Sequence, residues 1–238
     1  MTQATSTTSG VAPGPRQSFH IDVVSDVVCP WCFIGKKRLE KAIAQLPELR
    51  ITVGWHPYQL DPNVPAGGVD RREYMERKFG SREKIAGIHE RIAAEGAREG
   101  IAFRFDLIKR SPNTLDAHRL IGWAGAAGVQ DAVVEALFHA FFMEGRDVGD
   151  QAVLVEIAGA CGMDPGQVAA QLATDADADM ARQSMAAARD MGVTGVPCFI
   201  LADRLALPGA QDPDVIVRYV QRLARKMLEE ATSAGPAG

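Results

Sequence analysis

The 238-residue chain reads as an α/β fold, β-α-β at its start and β-β-α at its end, with a large all-helical insertion between the two halves. Three observations predict this. Two apolar, β-branched runs, Phe19 to Val24 and Ile51 to Trp55, flank a stretch of helical period that ends near Leu46. From Asp70 to Met191 the period is helical over roughly 120 residues, with no clear strand. After that block, Cys198 to Leu201 and Leu205 to Leu207 return to short apolar runs, and one amphipathic helix closes the chain.

Taken in order, residues 1–18 are rich in Thr, Ser, Gly and Pro. They have neither the basic start nor the apolar core of a secretory signal, and they read as a disordered tail. Strand one follows. The first helix opens near Cys29 and carries Leu39, Ala42, Ile43 and Leu46 on one face. Strand two ends at His56-Pro57, and Leu60 to Gly68 is a loop dense in Pro, Asn, Asp and Gly. In the helical block, Ile85, Ile88 and Ile92 mark one helix and Val134, Leu137, Phe138 and Phe141 another. Leu154, Ile157, Ala158 and Cys161 repeat that spacing, which makes Cys161 a packing residue. Asp164-Pro165 and Asp212-Pro213 are cap and first-turn pairs that start helices, the latter carrying Ile216, Tyr219, Val220, Leu223 and Met227 on one face. The division that results is 19–66 with 192–228 as one α/β domain, 67–191 as the insertion, and 229–238 as a second loose tail.

Composition excludes some functions. The chain is 47% hydrophobic and 24% charged with a net charge of −4, which argues against a nucleic acid or an anionic membrane as the main partner. No run approaches the roughly 18 apolar residues of a membrane span. The expected setting is the cytoplasm, where disulfides are usually transient and catalytic.

The chemistry concentrates in Cys29-Pro30-Trp31-Cys32. Two thiols separated by two residues close into a disulfide and reopen with no cofactor. With Pro30 as an early helical residue, Cys29 stands at the helix N-terminus, where unpaired N–H groups and the helix dipole favour its anion. Cys32, one turn on, is shielded and placed to attack a mixed disulfide formed at Cys29. Cys29 is therefore the candidate nucleophile and Cys32 the resolving thiol. A structural zinc site would need a second cysteine pair or histidines at ligand spacing. Cys161 and Cys198 stand alone and the five histidines are scattered, so no metal is expected.

Five runs, taken together and in order, resemble a known family: Ser25 to Gly35 around the dithiol, Ser111 to Leu120, Gly145-Arg146-Asp147, Gly192 to Pro197, and Gly209-Ala210-Gln211. Over about residues 19 to 228 the chain resembles the DsbA-like thioredoxin-fold oxidoreductases of the FrnE type, relatives of 2-hydroxychromene-2-carboxylate isomerase and kappa-class glutathione transferase. The resemblance implies a thioredoxin fold with a helical insertion, and a cis Val196-Pro197 bond facing the dithiol and pairing with an extended substrate segment. It also implies that the Asn113 to His118 segment lines the cleft over Cys29 and that Gln211 contacts a glutathione-like ligand. The isomerases and transferases usually carry serine where Cys29 stands. Keeping both cysteines moves this chain toward dithiol–disulfide exchange.

Other residues admit two readings. Asp26 either takes a proton from Cys32 or bonds its own backbone in the turn. His118, with Leu115 and Ile121 on a helix, is either a satisfied core histidine or a cleft residue. Gln211 is either a ligand contact or simply a neighbour of the cap at Asp212. Trp31 offers a flat apolar contact or packs against the insertion, and Cys198 is an inert core thiol or a third redox thiol. The function expected is a cytoplasmic thiol–disulfide oxidoreductase or isomerase acting on a thiol- or disulfide-bearing protein or small molecule. It requires no cofactor, takes glutathione as a co-substrate at most, and is compatible with a homodimer. The alternative is a glutathione-dependent isomerase or transferase acting on an aromatic or polyketide-like small molecule.

Overall fold

A computed structural model describes residues 16–233. Strand β1 (Gln17–Ser25) is joined to the parallel strand β2 (Leu49–Pro57) by helix α1 (Pro30–Ala44). Then come a two-residue strand β3 (Val69–Asp70), helices α2 (Arg71–Phe79) and α3 (Arg82–Arg98), and a two-residue strand β4 (Arg110–Ser111). Five helices follow: α4 (Leu115–Ala126), α5 (Gln130–Phe142), α6 (Gln151–Ala160), α7 (Pro165–Leu172) and α8 (Ala178–Asp190). The chain returns to the sheet as β5 (Cys198–Leu201) and β6 (Leu205–Pro208), and helix α9 (Pro213–Ser233) closes the described part.

The main sheet runs β2-β1-β5-β6, with β5 antiparallel to β1 and β6 antiparallel to β5. Alternation explains the early part of β1, where Phe19, Ile21 and Val23 enter the core. On the opposite face His20 and His56 both bond the Asp22 carboxylate. Near the end of β1 both faces are covered, because Val24 packs with Tyr58, Cys198, Ala188 near the end of α8, and Val193 just beyond it. Val24 stands opposite Cys198 and Val23 opposite Phe199. That register brings the segment just before Cys198 beside the turn that leaves β1, and so it builds the site.

The insertion is not wholly helical. Val69 pairs with Ser111 and Asp70 with Arg110 in a short antiparallel ladder. A ladder of two residues per strand shows no alternation in sequence, and Gly68, with φ of 68°, makes the turn that leads into it. The tails are shorter than expected as well: residues 17 and 18 belong to β1 and residues 229–233 to α9. The remaining tail assignments, 1–15 and 234–238, lie outside the described residues. Cys161 is the C-cap of α6 and half-buried, and it packs against the core cluster, as its stripe implies. On α9, Ile216, Val220 and Ala224 are buried while Tyr219 is exposed. No helix among the described residues is long and apolar enough to cross a membrane.

Candidate active site

Cys29 is the N-cap of α1, with extended backbone angles, and Pro30 takes the first helical position. The Cys29 N–H donates to the Asp26 carbonyl at 3.0 Å, closing the turn out of β1. No acidic residue stands in the first turn of α1, so nothing there opposes a negative charge at the positive end of the helix dipole. The Cys29 thiol donates to the Val196 carbonyl at 3.6 Å, and the Val196–Pro197 peptide bond is cis. Cys32 lies behind it, 1% exposed against 4% for Cys29. Both are free thiols, and burial, then the adjacent Cys29 sulfur, push the Cys32 thiol well above its ordinary range. The Ser25 hydroxyl and the Asp26 backbone act weakly in the opposite direction.

Beneath the pair is a buried polar layer. Asp26 spends Oδ2 on the Leu60 N–H at 2.8 Å, so its carboxylate ties two loops together instead of bonding its own turn. The turn is closed by its carbonyl. Its Oδ1 faces His118 Nε2 at 3.4 Å, within ion-pair range, yet among the described residues neither atom makes a hydrogen bond of good geometry. His118 is therefore a buried histidine without the hydrogen bond at Nε2 that a satisfied core residue would have.

On the other side of Pro30 opens a cleft of about 120 Å³, walled by Val28, Pro30, the Leu60–Val64 loop, α2, α3 and the Ser111–Thr114 segment. Val28 and Pro30 are the neighbours of Cys29 on either side, so the cleft lies beside the dithiol, although neither cysteine lines it.

A dithiol at the start of the helix that follows the first strand, a cis-proline beside it and a helical insertion over it form one arrangement, and residues 20–221 match the family described as DSBA-like thioredoxin domain. The chain belongs to the DsbA-like thioredoxin family. This DsbA-like protein is 33% identical to the probable DsbA oxidoreductase SCO1869 from Streptomyces coelicolor, covering 86% of this chain and 89% of that one with a TM-score of 0.79. It shares its fold with 2-hydroxychromene-2-carboxylate isomerase, at 19% identity, 88% and 98% coverage and a TM-score of 0.68. It also shares its fold with the cytosolic disulfide reductase DsbM from Pseudomonas aeruginosa with GSH, at 19% identity, 90% and 99% coverage and a TM-score of 0.52. The DsbA-like chain is an enzyme of the thiol–disulfide oxidoreductase kind.

Not every residue singled out in the DsbA-like sequence reaches the cleft. Ser111, Pro112 and Thr114 line it, but Asn113 turns away. The Asn113 amide donates to the Val64 carbonyl at 2.6 Å, and its oxygen accepts from Gln59 Nε2 and the Leu115 N–H, both at 2.9 Å. With its amide used this way, it pins the wall and has little left for a ligand. Gln211 likewise donates to the Pro208 carbonyl at 2.6 Å. Trp31 is half-buried against the main core, and Cys198 faces Val24 and Tyr58 in the second cluster, where burial pushes its thiol up. Among the described residues no group of three His, Cys, Asp or Glu side chains is arranged to hold a metal ion.

Other residues that shape the site give no motif. Gly35 lies where α1 passes closest to the proline loop: a Cβ there would stand 2.9 Å from Pro197 Cγ and 3.3 Å from Phe199 Cζ. Lys36, buried on α1, reaches Glu40, Asp131 and Glu135. Burial alone would lower its pKa, but those three carboxylates reverse this and raise it. Arg38 bonds Glu99 at 2.7 Å, Glu95 at 2.8 Å and the Ala210 carbonyl at 2.7 Å. Two buried cations thus lock the helix that carries the thiols to α3, α5 and the loop before α9. Periodicity assigns both positions to a polar helical face; Glu40 is a local i,i+4 partner of Lys36, and tertiary structure supplies the others.

Proposed function

We propose that the protein is a cytoplasmic thiol–disulfide oxidoreductase with Cys29 as nucleophile and Cys32 as resolving thiol. The observation that carries the reading is the asymmetry of the pair: Cys29 caps α1 beside the Val196 carbonyl, while Cys32 is buried behind it and held as a thiol. The Cys29 thiolate attacks one sulfur of a substrate disulfide; a Cys29–substrate S–S bond forms, the substrate S–S bond breaks, and one half leaves as thiolate. Cys32 then passes its proton to the Asp26 carboxylate and attacks the Cys29 sulfur. The second half leaves as thiolate, and the products are a Cys29–Cys32 disulfide and a substrate reduced by two electrons. Run in reverse, the same steps oxidise a dithiol.

Substrate binding is assigned to Pro30, Trp31 and the Val196–Pro197 loop, with His118 acting from beneath through Asp26. Electrons travel on the two thiols, so no cofactor is invoked. Glutathione enters as the co-substrate that reduces the disulfide, and the structure of DsbM with GSH supports this. The test is a redox titration of Cys29/Cys32 against glutathione with insulin reduction followed alongside, together with Cys32→Ser. The expected results are a reversible intramolecular disulfide and a mixed disulfide trapped at Cys29 in the variant. A pair that never closes on itself would sink the reading.

The cleft beside Pro30 and the fold shared with 2-hydroxychromene-2-carboxylate isomerase favour one second reading: a glutathione-dependent isomerase or transferase of an aromatic or polyketide-like small molecule. That reading expects Cys32→Ser to keep its activity with glutathione required.

A further inference from the structure

Helix α2 begins with Arg71, which lines the cleft beside the dithiol. Among the described residues it enters no ion pair within 4.0 Å, and its one side-chain hydrogen bond is from Nη1 to Ser111 Oγ at 3.3 Å. A guanidinium has five N–H donors, and one this deep is ordinarily paired. Burial lowers its pKa to about 10, which leaves it charged at neutral pH.

His89, from α3, shares the same wall. Its ring stacks on Phe105 with centroids 4.2 Å apart, and its buried Nε2 has no hydrogen-bond partner among the described residues. Burial, then the Arg71 charge, hold His89 below its usual pKa, so it is a neutral ring able to donate one hydrogen bond, on the wall between this cleft and a neighbouring groove. A guanidinium with one weak partner and a ring nitrogen with none, from two helices, therefore share one wall. Much of the surrounding wall is apolar, formed by Val28, Pro30, Met75, Ile88, Ile92 and Phe105. The other charged or titratable groups on the walls are Lys78 and Tyr74, which bond each other at 2.7 Å, and Asp26 and Asp61. Asp26 is tied to the Leu60 N–H and Asp61 to the Asn63 N–H. The cations belong to α2, and the carboxylates to the loops that follow β1 and β2.

We propose that Arg71 and His89 bind the carboxylate of a small, apolar thiol or disulfide acid, whose body fills the cleft and whose sulfur is directed to Cys29. The inference deepens the oxidoreductase reading and rests on it. A planar guanidinium fork takes a carboxylate through two parallel bonds, His89 supplies a third, and the low polarity of the walls strengthens all of them.

Two aromatic disulfides separate this from a merely structural role for Arg71: dithiobis(nitrobenzoate), with a carboxylate on each ring, and uncharged dithiodipyridine. With reduced protein, Arg71→Met is expected to lower the second-order rate constant of single-turnover reaction with the nitrobenzoate disulfide by about tenfold or more, with dithiodipyridine held within about twofold and Arg71→Lys recovering part of the loss. Equal losses on both probes, or none on either, would overturn the proposal. The second measurement needs no redox chemistry. Nitrobenzoate added to the Cys29→Ser protein is expected to shift the His89 ring resonances and raise its pKa, while nitrobenzamide leaves both unchanged; a silent His89 overturns the proposal. Should neither disulfide react with Cys29 while nitrobenzoate still moves His89, the oxidoreductase reading fails and the carboxylate site stands.

Discussion

Cys32 keeps its proton because it is buried beside a second sulfur, and this couples redox chemistry to pH. Unfolding returns the thiol to its ordinary range, about 8.5. A pKa raised in the folded state contributes stability that is full below the unfolded value and is lost as pH rises through the folded one. Cys198, shifted upward by burial, adds to the same slope. The Tm of the reduced protein should therefore fall between about pH 8.5 and 10, and Cys32→Ala should flatten part of that fall; a level Tm over that range would contradict the burial argument. The held proton also makes resolution depend on a base. Asp26→Asn can still accept the Leu60 N–H, so it tests proton transfer more than packing. It should slow attack of Cys32 on the mixed disulfide by about a hundredfold and leave formation of that disulfide within a few-fold, as read by acid-quenched time courses. Equal slowing of both steps would remove Asp26 from the proton path. The two cysteines, Asp26 and His118 are all conspicuous in sequence. What sequence hides is that Asp26 and His118 meet, because nothing local records a contact between a β1 turn and the first turns of α4.

Helix α1 shows where sequence reading works at the scale of an element and where it stops. Its start is legible from Pro30 and its inner face from Leu39 and Ala42, since capping and periodicity are local properties. The strand β1 and the amphipathic part of α9 are legible for the same reason. The ladder between β3 and β4 is not, because two residues carry no period. Gly35 is an intermediate case. In a helix interior it costs about 1 kcal/mol relative to alanine, and the proline ring against it supplies the reason. Gly35→Ala should therefore destabilise the protein by about 1–2 kcal/mol in spite of its better propensity. The Pro197 loop should move away from Cys29, seen as slower reaction of Cys29 with a disulfide. A more stable variant of unchanged reactivity would show that the loop yields freely.

Across the whole molecule, the division into an α/β domain and an insertion describes the order of elements better than it describes the core. Periodicity names each element but not its partner. One cluster of buried apolar residues runs from Phe19 and Ile21 on β1 through Phe33 on α1, Leu120 on α4, Leu137 and Phe138 on α5 and Leu154 on α6 to Val220 on α9. The join lies next to the chemistry: Phe33, adjacent to Cys32, stacks on Phe138 at 5.1 Å and lies 6.3 Å from Phe142, while Phe103 meets it edge-on at 6.1 Å. A core shared in this way should unfold as one unit. Phe138→Ala removes a fully buried ring and should cost about 3–5 kcal/mol. Because the insertion and the dithiol helix share that ring, the loss should appear equally in two probes: far-UV circular dichroism, dominated by the helices, and the reactivity of Cys32 toward an alkylating reagent. Coincident transitions in wild type and variant, displaced together, are the expected result. If Cys32 becomes reactive well below the temperature at which helicity is lost, the active-site half opens independently and the shared core does not hold the two halves together.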